Sequence, residues 1–157
     1  MSIILARIDD RLIHGQVTEG WCTKLKPEII LVVSDEVSSS DWLSDLCLAA
    51  LPTYYKGIVT STSEAPEKIN ELDKTLPTAY VLFESPKDVF TVIENGARLT
   101  EVNVGGMHST KGKREMLDYI FVDDNDIKYL KLLQDRGIEL DFRDLPDTAA
   151  FDVMTRL

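Results

Sequence analysis

The chain has 157 residues, and its 27 acidic side chains outnumber its 17 basic ones, which gives a net charge of −10 at pH 7. A length near ~150 residues predicts a single domain over 1–157. With 44% hydrophobic and 28% charged residues, the composition excludes a disordered chain. The acidic balance disfavours nucleic acid and anionic membrane surfaces as partners. No segment approaches the ~18 apolar residues of a membrane span, so a cytoplasmic protein is expected.

Short β-rich runs alternate with amphipathic helical patterns along the chain. The predicted strands are 3–8, 28–33, 57–61, 79–83, 101–104, 116–122 and 138–142. The predicted helices are 15–25, 40–51, 64–74, the stretch that Ser85 and Pro86 open and Gly96 closes, and 124–135. Trp21 and Trp42 fall within these helical patterns and are expected to be core residues or partly buried anchors.

Repeated strand–helix–strand order predicts an α/β fold with an open, mostly parallel, twisted sheet of about seven strands and helices on both faces. Several strands are apolar throughout, as in parallel sheets covered on both sides. No helix is evident over 105–122, so one antiparallel strand is allowed near the C-terminal part. Ligands of such sheets bind beyond the carboxyl ends of the strands. This rule selects the loops 9–15, 34–39, 61–63, 84–86 and 105–114.

The loop after the first predicted strand contains the first candidate site. It reads DDRLIHG over 9–15 and leads into a helix. A neutral histidine nitrogen is a competent phosphoryl acceptor, and Arg11, three residues before His14, can neutralise the transferring oxygens. Gly15 permits close backbone approach, and the first helical turn offers free N–H groups. The pattern predicts a phosphate on or beside His14.

Other interpretations of this loop stay open. His14 can instead be a rim residue that hydrogen-bonds its own loop. Asp9 or Asp10 can orient Arg11 or the His14 ring, or can be a turn residue bonded to its own backbone. The acidic pair also resembles the Mg²⁺ site of receiver domains. However, VTSTS over 59–63 supplies no aspartate as their phosphoacceptor.

The loop over 105–114, GGMHSTKGKR, is the second candidate. Three of the 17 basic side chains fall between Lys111 and Arg114, in an otherwise acidic chain. Gly105 and Gly106 follow a strand and can turn their N–H groups toward an anion as a nest. The loop matches neither a Walker loop nor a Rossmann fingerprint. It predicts either a phosphate-facing or partner-facing loop, or a flexible, solvated basic loop.

The motif RIDDRLIHGQV over 7–17 resembles the IIB component of the mannose/fructose/sorbose family of bacterial sugar phosphotransferase systems. Supporting stretches are VVSDEV over 32–37, FESPKDV over 83–89 and VNVGGMH over 102–108. The resemblance runs over essentially the whole chain. It implies an open, mostly parallel α/β domain, in agreement with the pattern of strands and helices.

The resemblance also implies a phosphocarrier. His14 would accept a phosphoryl group from a phosphohistidine on a IIA protein and pass it to a sugar that IIC and IID membrane proteins translocate. Arg11 would be the phosphate partner, and no cofactor or metal is implied. The further phosphate-binding candidates are Asp10, Gly15, Gln16, Gly105, Gly106, Met107, His108 and Lys111.

These implications set several expectations. The donor must bring its own histidine in line, so the rim around His14 should be shallow and exposed. The protein should be cytoplasmic and peripherally associated with the membrane permease, and a homodimer stays open. A non-catalytic regulatory or anion-binding module of the same fold is the alternative, while a nucleotide-binding domain lacks its glycine-rich motif. The sugar is not determined by this sequence.

Overall fold

The main sheet has six parallel strands. The computed structural model describes residues 2–75 and 77–154. The strands, in spatial order, are β3 (Lys56–Thr60), β2 (Ile29–Val33), β4 (Ala79–Phe83), β1 (Ile3–Asp9), β5 (Glu101–Gly106) and β8 (Glu139–Asp141). β2 and β4 are buried at every residue, which explains why they are apolar throughout.

Helices cover both faces of the sheet. A π-helical segment (Gln16–Trp21) continues as α1 (Cys22–Leu25), and the other helices are α2 (Asp35–Ser38), α3 (Asp41–Ala49), α4 (Ala65–Leu72), α5 (Pro86–Glu94) and α6 (Asp124–Asp135). The π-helical segment, α1 and α3 pack against one hydrophobic cluster, whereas α4, α5 and α6 pack against the other. Ser85 caps α5 by accepting a hydrogen bond from the Asp88 N–H, and Gly96 and Gly137 follow α5 and α6 with positive φ.

The predicted fold class is confirmed, with differences in detail. The run predicted over 116–122 belongs to a separate antiparallel hairpin, β6 (Arg114–Leu117) and β7 (Ile120–Val122), so the main sheet has six strands. The short helix α2 lies in the stretch predicted as a loop, where Ser34 caps it. Trp21 is buried as expected, but the prediction for Trp42 is wrong, since it lies on the outer side of α3 and is 70% exposed.

The topology opens a crevice between β1 and β5. The chain leaves β1 toward the face that α1 covers, and it leaves β5 toward the hairpin and α6 on the opposite face. Two neighbouring strands whose connections diverge in this way form a topological switch point, where open α/β sheets bind ligands. None of the helices within residues 2–75 and 77–154 combines the length and the apolar composition that a membrane span requires.

Candidate functional site

His14 lies just beyond the carboxyl end of β1. The chain turns tightly after β1, with the Leu12 N–H donating to the Asp9 carbonyl at 2.9 Å and Leu12 in the left-handed region (φ 59°). This turn returns His14 to the end of the strand, where its Nε2 lies 2.6 Å from Asp9 Oδ2. A left-handed leucine is strained by about 1 kcal/mol, which the burial of its side chain offsets.

Asp9 fixes the proton on the His14 ring. Burial by itself would raise the pKa of Asp9, but the hydrogen bond from His14 and the charge of Arg7 together hold that pKa below its usual value. Asp9 is therefore a carboxylate that accepts from Nε2–H. A neutral His14 in this arrangement carries its lone pair on Nδ1.

A fully buried arginine sits behind Asp9. Arg7 Nη2 donates to Asp9 Oδ2 at 3.0 Å, and Nη1 donates to Asn103 Oδ1 at 2.7 Å and to the Asp144 carbonyl at 3.0 Å. The guanidinium also lies 5.5 Å from the centre of the Trp21 ring. A buried cation requires this degree of pairing, because an unpaired one would cost several kcal/mol.

Arg11 shares the Asp9 carboxylate with His14, which is one of the arrangements that the sequence leaves open. The Arg11 N–H donates to Asp9 Oδ1 at 3.1 Å, and its Nε lies 3.7 Å from the same oxygen. The Arg11 side chain is 44% exposed, whereas the His14 side chain is 15% exposed. The ring is thus more covered than the expected shallow rim, although it remains open to solvent.

Gln16 connects the two arginines. Its Oε1 accepts from Arg7 Nη2 at 3.3 Å and from Arg11 Nη2 at 3.4 Å. With the oxygen engaged, the amide nitrogen of Gln16 is the part of the side chain available to an anion. Gly15 is exposed and helical, and a Cβ at Gly15 would meet nothing within 4 Å.

Asp10 ties the two candidate loops together. Its N–H donates to the Gly106 carbonyl at 3.1 Å, its carboxylate accepts from the His108 N–H at 2.7 Å, and its other oxygen is bonded to His108 Nδ1. A carboxylate repels phosphate, so this geometry is that of a residue that positions the second loop. The sequence predicted Asp10 as a phosphate neighbour, and the structure places it beside the site in this supporting position.

The predicted nest at Gly105 and Gly106 is not formed. Both glycines lie inside β5, neither has a positive φ, and Gly106 pairs with Asp9 in the sheet. The absence of side chains at these two positions instead leaves room for side chains from β1. A Cβ at Gly105 would overlap the Arg7 guanidinium, and a Cβ at Gly106 would come within 3.0 Å of the Asp9 carboxylate.

Met107 and the basic cluster also differ from a simple phosphate-binding loop. Met107 is buried, and its N–H is taken by the Tyr119 carbonyl at 3.0 Å. Lys113 pairs with Asp126 at 3.0 Å and Arg114 pairs with Asp124 at 3.1 Å. Lys111 is exposed and forms no ion pair among the described residues.

An open cavity of about 450 Å³ lies beside Arg11, between the two loops. It is lined by Arg11, Gln16, Gly106, Met107, His108, Ser109, Asp118, Tyr119 and Phe121. The cavity therefore joins residues of the first loop to residues of the second loop and the hairpin.

Three supporting groups of the site are absent from the residues that the sequence predicts for it. Arg7, Asn103 and the Asp144 carbonyl lie behind Asp9 rather than at the surface. One signal was present, because Arg7 lies inside a run predicted as a buried strand, and a buried charge needs a partner. The contribution of Asp144 had no such signal, since every residue type carries the same backbone carbonyl.

Comparisons with known proteins agree over the full length of the chain. The family model for the PTS system sorbose subfamily IIB component matches residues 3–157. The fructose-specific EIIB component of Bacillus subtilis (strain 168) is 36% identical over 152 residues, which cover 97% of this chain and 93% of that relative. The mannose-specific EIIAB component of Escherichia coli (strain K12) is 36% identical over 160 residues, which cover 100% of this chain and 50% of that relative.

A solved structure shares the fold. The crystal structure of the IIBSor domain of the sorbose permease from Klebsiella pneumoniae matches with a TM-score of 0.89 and 31% identity, covering 99% of this chain and 96% of that one. Fold and sequence together define a IIB component of a sugar phosphotransferase system. The chain belongs to the sorbose subfamily of these components.

Proposed function

We propose that this chain is a phosphotransferase component that carries a phosphoryl group on His14. It receives the group from a phosphohistidine of a IIA protein and passes it to a sugar that IIC and IID membrane proteins translocate. The observation that carries the proposal is the 2.6 Å pair of His14 and Asp9 at the switch point, with Arg11 on the same carboxylate. This arrangement holds the ring proton on Nε2, leaves Nδ1 as the nucleophilic nitrogen, and places a cation on the same carboxylate.

The transfer step follows from the proton on the ring. The Nδ1 lone pair of His14 attacks the phosphorus of the donor phosphohistidine, the new N–P bond forms as the donor N–P bond breaks, and the donor imidazole leaves. Asp9 retains its hydrogen bond from Nε2–H and balances the positive charge that develops on the ring. Transfer between two histidines is nearly balanced in energy, so positioning and charge neutralisation suffice.

The phosphate contacts are divided between the two loops. Arg11 neutralises the transferring oxygens, the Gln16 amide and the N–H groups of Gly15 and Gln16 donate to them, and Lys111 attracts them at longer range. Asp10, Gly105, Gly106, Met107 and His108 hold the second loop and the buried Arg7–Asp9 pair in place.

The partners follow from this role. The EIIAB name of the mannose relative, of which this chain covers half, supports a IIA protein as donor. The recipient sugar is bound by the membrane permease, so the chain works in the cytoplasm and associates peripherally with that permease. The interaction with the donor is transient and of modest area.

Labelling with radioactive phospho-IIA tests this proposal. The expected result is a label on the chain that is labile in acid and stable in base, and that disappears in His14→Ala while circular dichroism is unchanged. Arg11→Ala should slow labelling by about 10²-fold without unfolding the chain, since its side chain is partly exposed. A label that persists in His14→Ala would contradict the proposal.

The final acceptor separates the carrier from the alternative. With IIC and IID proteins in lipid nanodiscs, the label should leave the chain and appear in a sugar phosphate. A chain that is labelled on His14 but never yields a sugar phosphate would instead be a regulatory or anion-binding module.

A further inference from the structure

The outer side of α3 carries an acidic and apolar surface. We define the α3 face as Asp41, Trp42, Asp45 and Leu46, which are exposed neighbours one turn apart on the same side of the helix. Trp42 is 70% exposed and Leu46 is 57% exposed. A tryptophan and a leucine side by side in water bring no stability to the fold, and exposed apolar patches often mark binding surfaces.

The chain segment that contains this face carries charge of a single sign. The stretch 27–55 contains no lysine, arginine or histidine. Its charged side chains are Glu28, Asp35, Glu36, Asp41 and Asp45. A partner that covers Trp42 and Leu46 must therefore face carboxylates at the rim of the contact, and it gains from carrying basic side chains.

The loops of the candidate site, in contrast, present exposed cations. Arg11 and Lys111 are exposed, and they belong to the loops after β1 and β5. The α3 face instead follows β2, which lies two strands from β1. One surface thus attracts an acidic or phosphorylated partner and the other attracts a basic one.

The charge also argues against other occupants. A second copy of this chain would bring the same carboxylates into contact, and an anionic lipid surface would be repelled. The cytoplasmic ends and loops of membrane-spanning helices are enriched in lysine and arginine. A segment of that kind, with an apolar side chain or two, matches both properties of the α3 face.

From this match we propose that the α3 face docks the chain on a lysine- and arginine-rich cytoplasmic segment of the membrane permease. The proposal rests on the proposed function, because it assigns a surface to the permease contact. Trp42 is the anchor, since tryptophan is among the residues that contribute most to interfaces, and Asp41 and Asp45 supply attraction and orientation.

The test compares two double variants with a matched control. Trp42→Ala/Leu46→Ala removes the apolar anchor, and Asp41→Asn/Asp45→Asn removes the charges. Phe151→Ala truncates a hydrophobic side chain that is 38% exposed near β8, at the opposite edge of the sheet. Each protein is first labelled by phospho-IIA and then titrated with zwitterionic nanodiscs that contain IIC and IID.

We expect all three variants to accept the label at the wild-type rate, because none of the changed residues lies at His14. The Trp42/Leu46 variant should need a concentration at least about tenfold higher for half-maximal sugar phosphorylation. The Asp41/Asp45 variant should show a smaller increase and should lose most of the salt dependence. Phe151→Ala should behave as wild type.

Fluorescence of 5-hydroxytryptophan, incorporated into this chain and excited at wavelengths where ordinary tryptophan does not absorb, gives a second measurement of the contact. The sequence has two tryptophans, and Trp21 is buried, so quenching by acrylamide reports mainly on position 42. Nanodiscs with IIC and IID should protect Trp42 from the quencher, whereas empty nanodiscs should not.

Several outcomes would overturn the inference. Wild-type half-saturation in the Trp42/Leu46 variant would show that another surface meets the permease. Protection of Trp42 by empty nanodiscs would assign the face to lipid. Protection of Trp42 without nanodiscs, together with a dimer in light scattering that dissociates on dilution, would assign the face to a second copy of the chain. Failure of the proposed function is distinguishable, because the wild-type chain would then accept no label or form no sugar phosphate.

Discussion

The carboxylate of Asp9 sets the geometry of both predicted reactive residues. One oxygen accepts from His14 and Arg7, and the other accepts from the backbone of Arg11. Neutral histidine in water populates both tautomers, and only an acceptor fixed at Nε2 makes Nδ1 the nucleophile throughout. In the proposed transfer, the chemistry of His14 therefore depends on a residue that need not touch the phosphate.

Replacing Asp9 by asparagine should separate this role from the fold. The amide that replaces the carboxylate carries no charge and can donate to Nε2 as well as accept from it, so we expect phosphoryl transfer to fall by about 10²-fold or more. The Nε2–H tautomer of His14 should give way to a mixture, which ¹⁵N chemical shifts of the ring would show. Leaving Arg7 without its charge partner should also destabilise the chain by about 3 kcal/mol.

The tautomer measurement distinguishes a change in the His14 ring from a lower transfer rate that is caused only by lower stability. If Asp9→Asn were slow only because it is less stable, the folded fraction would keep the wild-type tautomer. That result would contradict the assignment of Asp9 as the residue that positions the ring.

At the level of elements, large side chains on β1 lie against glycines on the neighbouring strand β5. The guanidinium of Arg7 occupies the space over Gly105, and the carboxylate of Asp9 packs close to Gly106. Neither glycine has a positive φ, so backbone freedom is not the reason for them. The two strands can hold a buried charge pair only because one of them lacks side chains at these positions.

Gly105→Ala should therefore destabilise the chain by about 3 kcal/mol or more, because the added methyl group displaces Arg7 from its partners. Gly15→Ala is the matched control, since a methyl group there meets no atom and favours the helix. Urea unfolding of both variants measures the difference. Equal stabilities for Gly105→Ala and wild type would show that Arg7 has room to move.

The first turn of α5 contains a carboxyl group with an unusual titration. Burial and the nearby charge of Glu84 raise the pKa of Asp88 to about 6. Because the folded-state pKa lies above the ordinary value of 3.8, folding favours the protonated form. The resulting stabilisation is complete below the unfolded-state pKa and is lost as the pH rises through about 6.

Asp88→Asn should thus raise the free energy of unfolding above pH 7 and have little effect below pH 4. The gain should be about 1 to 2 kcal/mol, because partial exposure and the positive end of the helix reduce the penalty of the charge. Urea unfolding between pH 4 and pH 8 would show it. The control is Asp41→Asn, since Asp41 is an exposed acidic residue in the first turn of α3, and its free energy of unfolding should show no comparable increase. An increase for Asp88→Asn that does not change with pH would contradict the assigned pKa shift.

At the scale of the whole molecule, a net charge of −10 coexists with basic side chains in the loops of the candidate site. Two basic residues of the second loop are already in ion pairs. Lys113 and Arg114 pair with acids at the start of α6, whereas Lys111 forms no ion pair among the described residues. The attraction of an anionic donor thus depends on few cations, and each should have a measurable effect on the encounter.

Lys111→Ala should lower the association rate with phospho-IIA by about two- to fivefold and weaken its dependence on salt, without changing the rate at saturation. Lys113→Ala should change the association rate less, because its charge is already balanced by Asp126. Stopped-flow measurement at two ionic strengths distinguishes them. An equal effect of the two variants would show that the ion pair does not neutralise Lys113.

Much of the architecture could be predicted because each element has a local cause. The apolar runs of β2 and β4, the Ser85 cap and the helix over 124–135 are where the sequence places them. Trp42 was misplaced because a helical pattern shows which residues share a face but not whether anything packs on that face. The interpretation of the glycine pair was wrong because the side chains that need the space above it belong to β1, almost one hundred residues away.

What the amino-acid order determined by itself was the parallel α/β class and the loops at the strand ends, and it predicts His14 with Arg11 as the reactive pair. These features can be predicted because helix caps, side-chain periodicity and the motif each depend on residues that are close together in the sequence. Only the tertiary structure decided that Asp9 holds the ring, that Arg7 and Asn103 lie behind it, and that Asp10 fastens the second loop. The Arg7–Asn103 and Asp10–His108 contacts join β1 and its loop to β5 and its loop, and the choice of partner for a buried charge depends on which strands become neighbours.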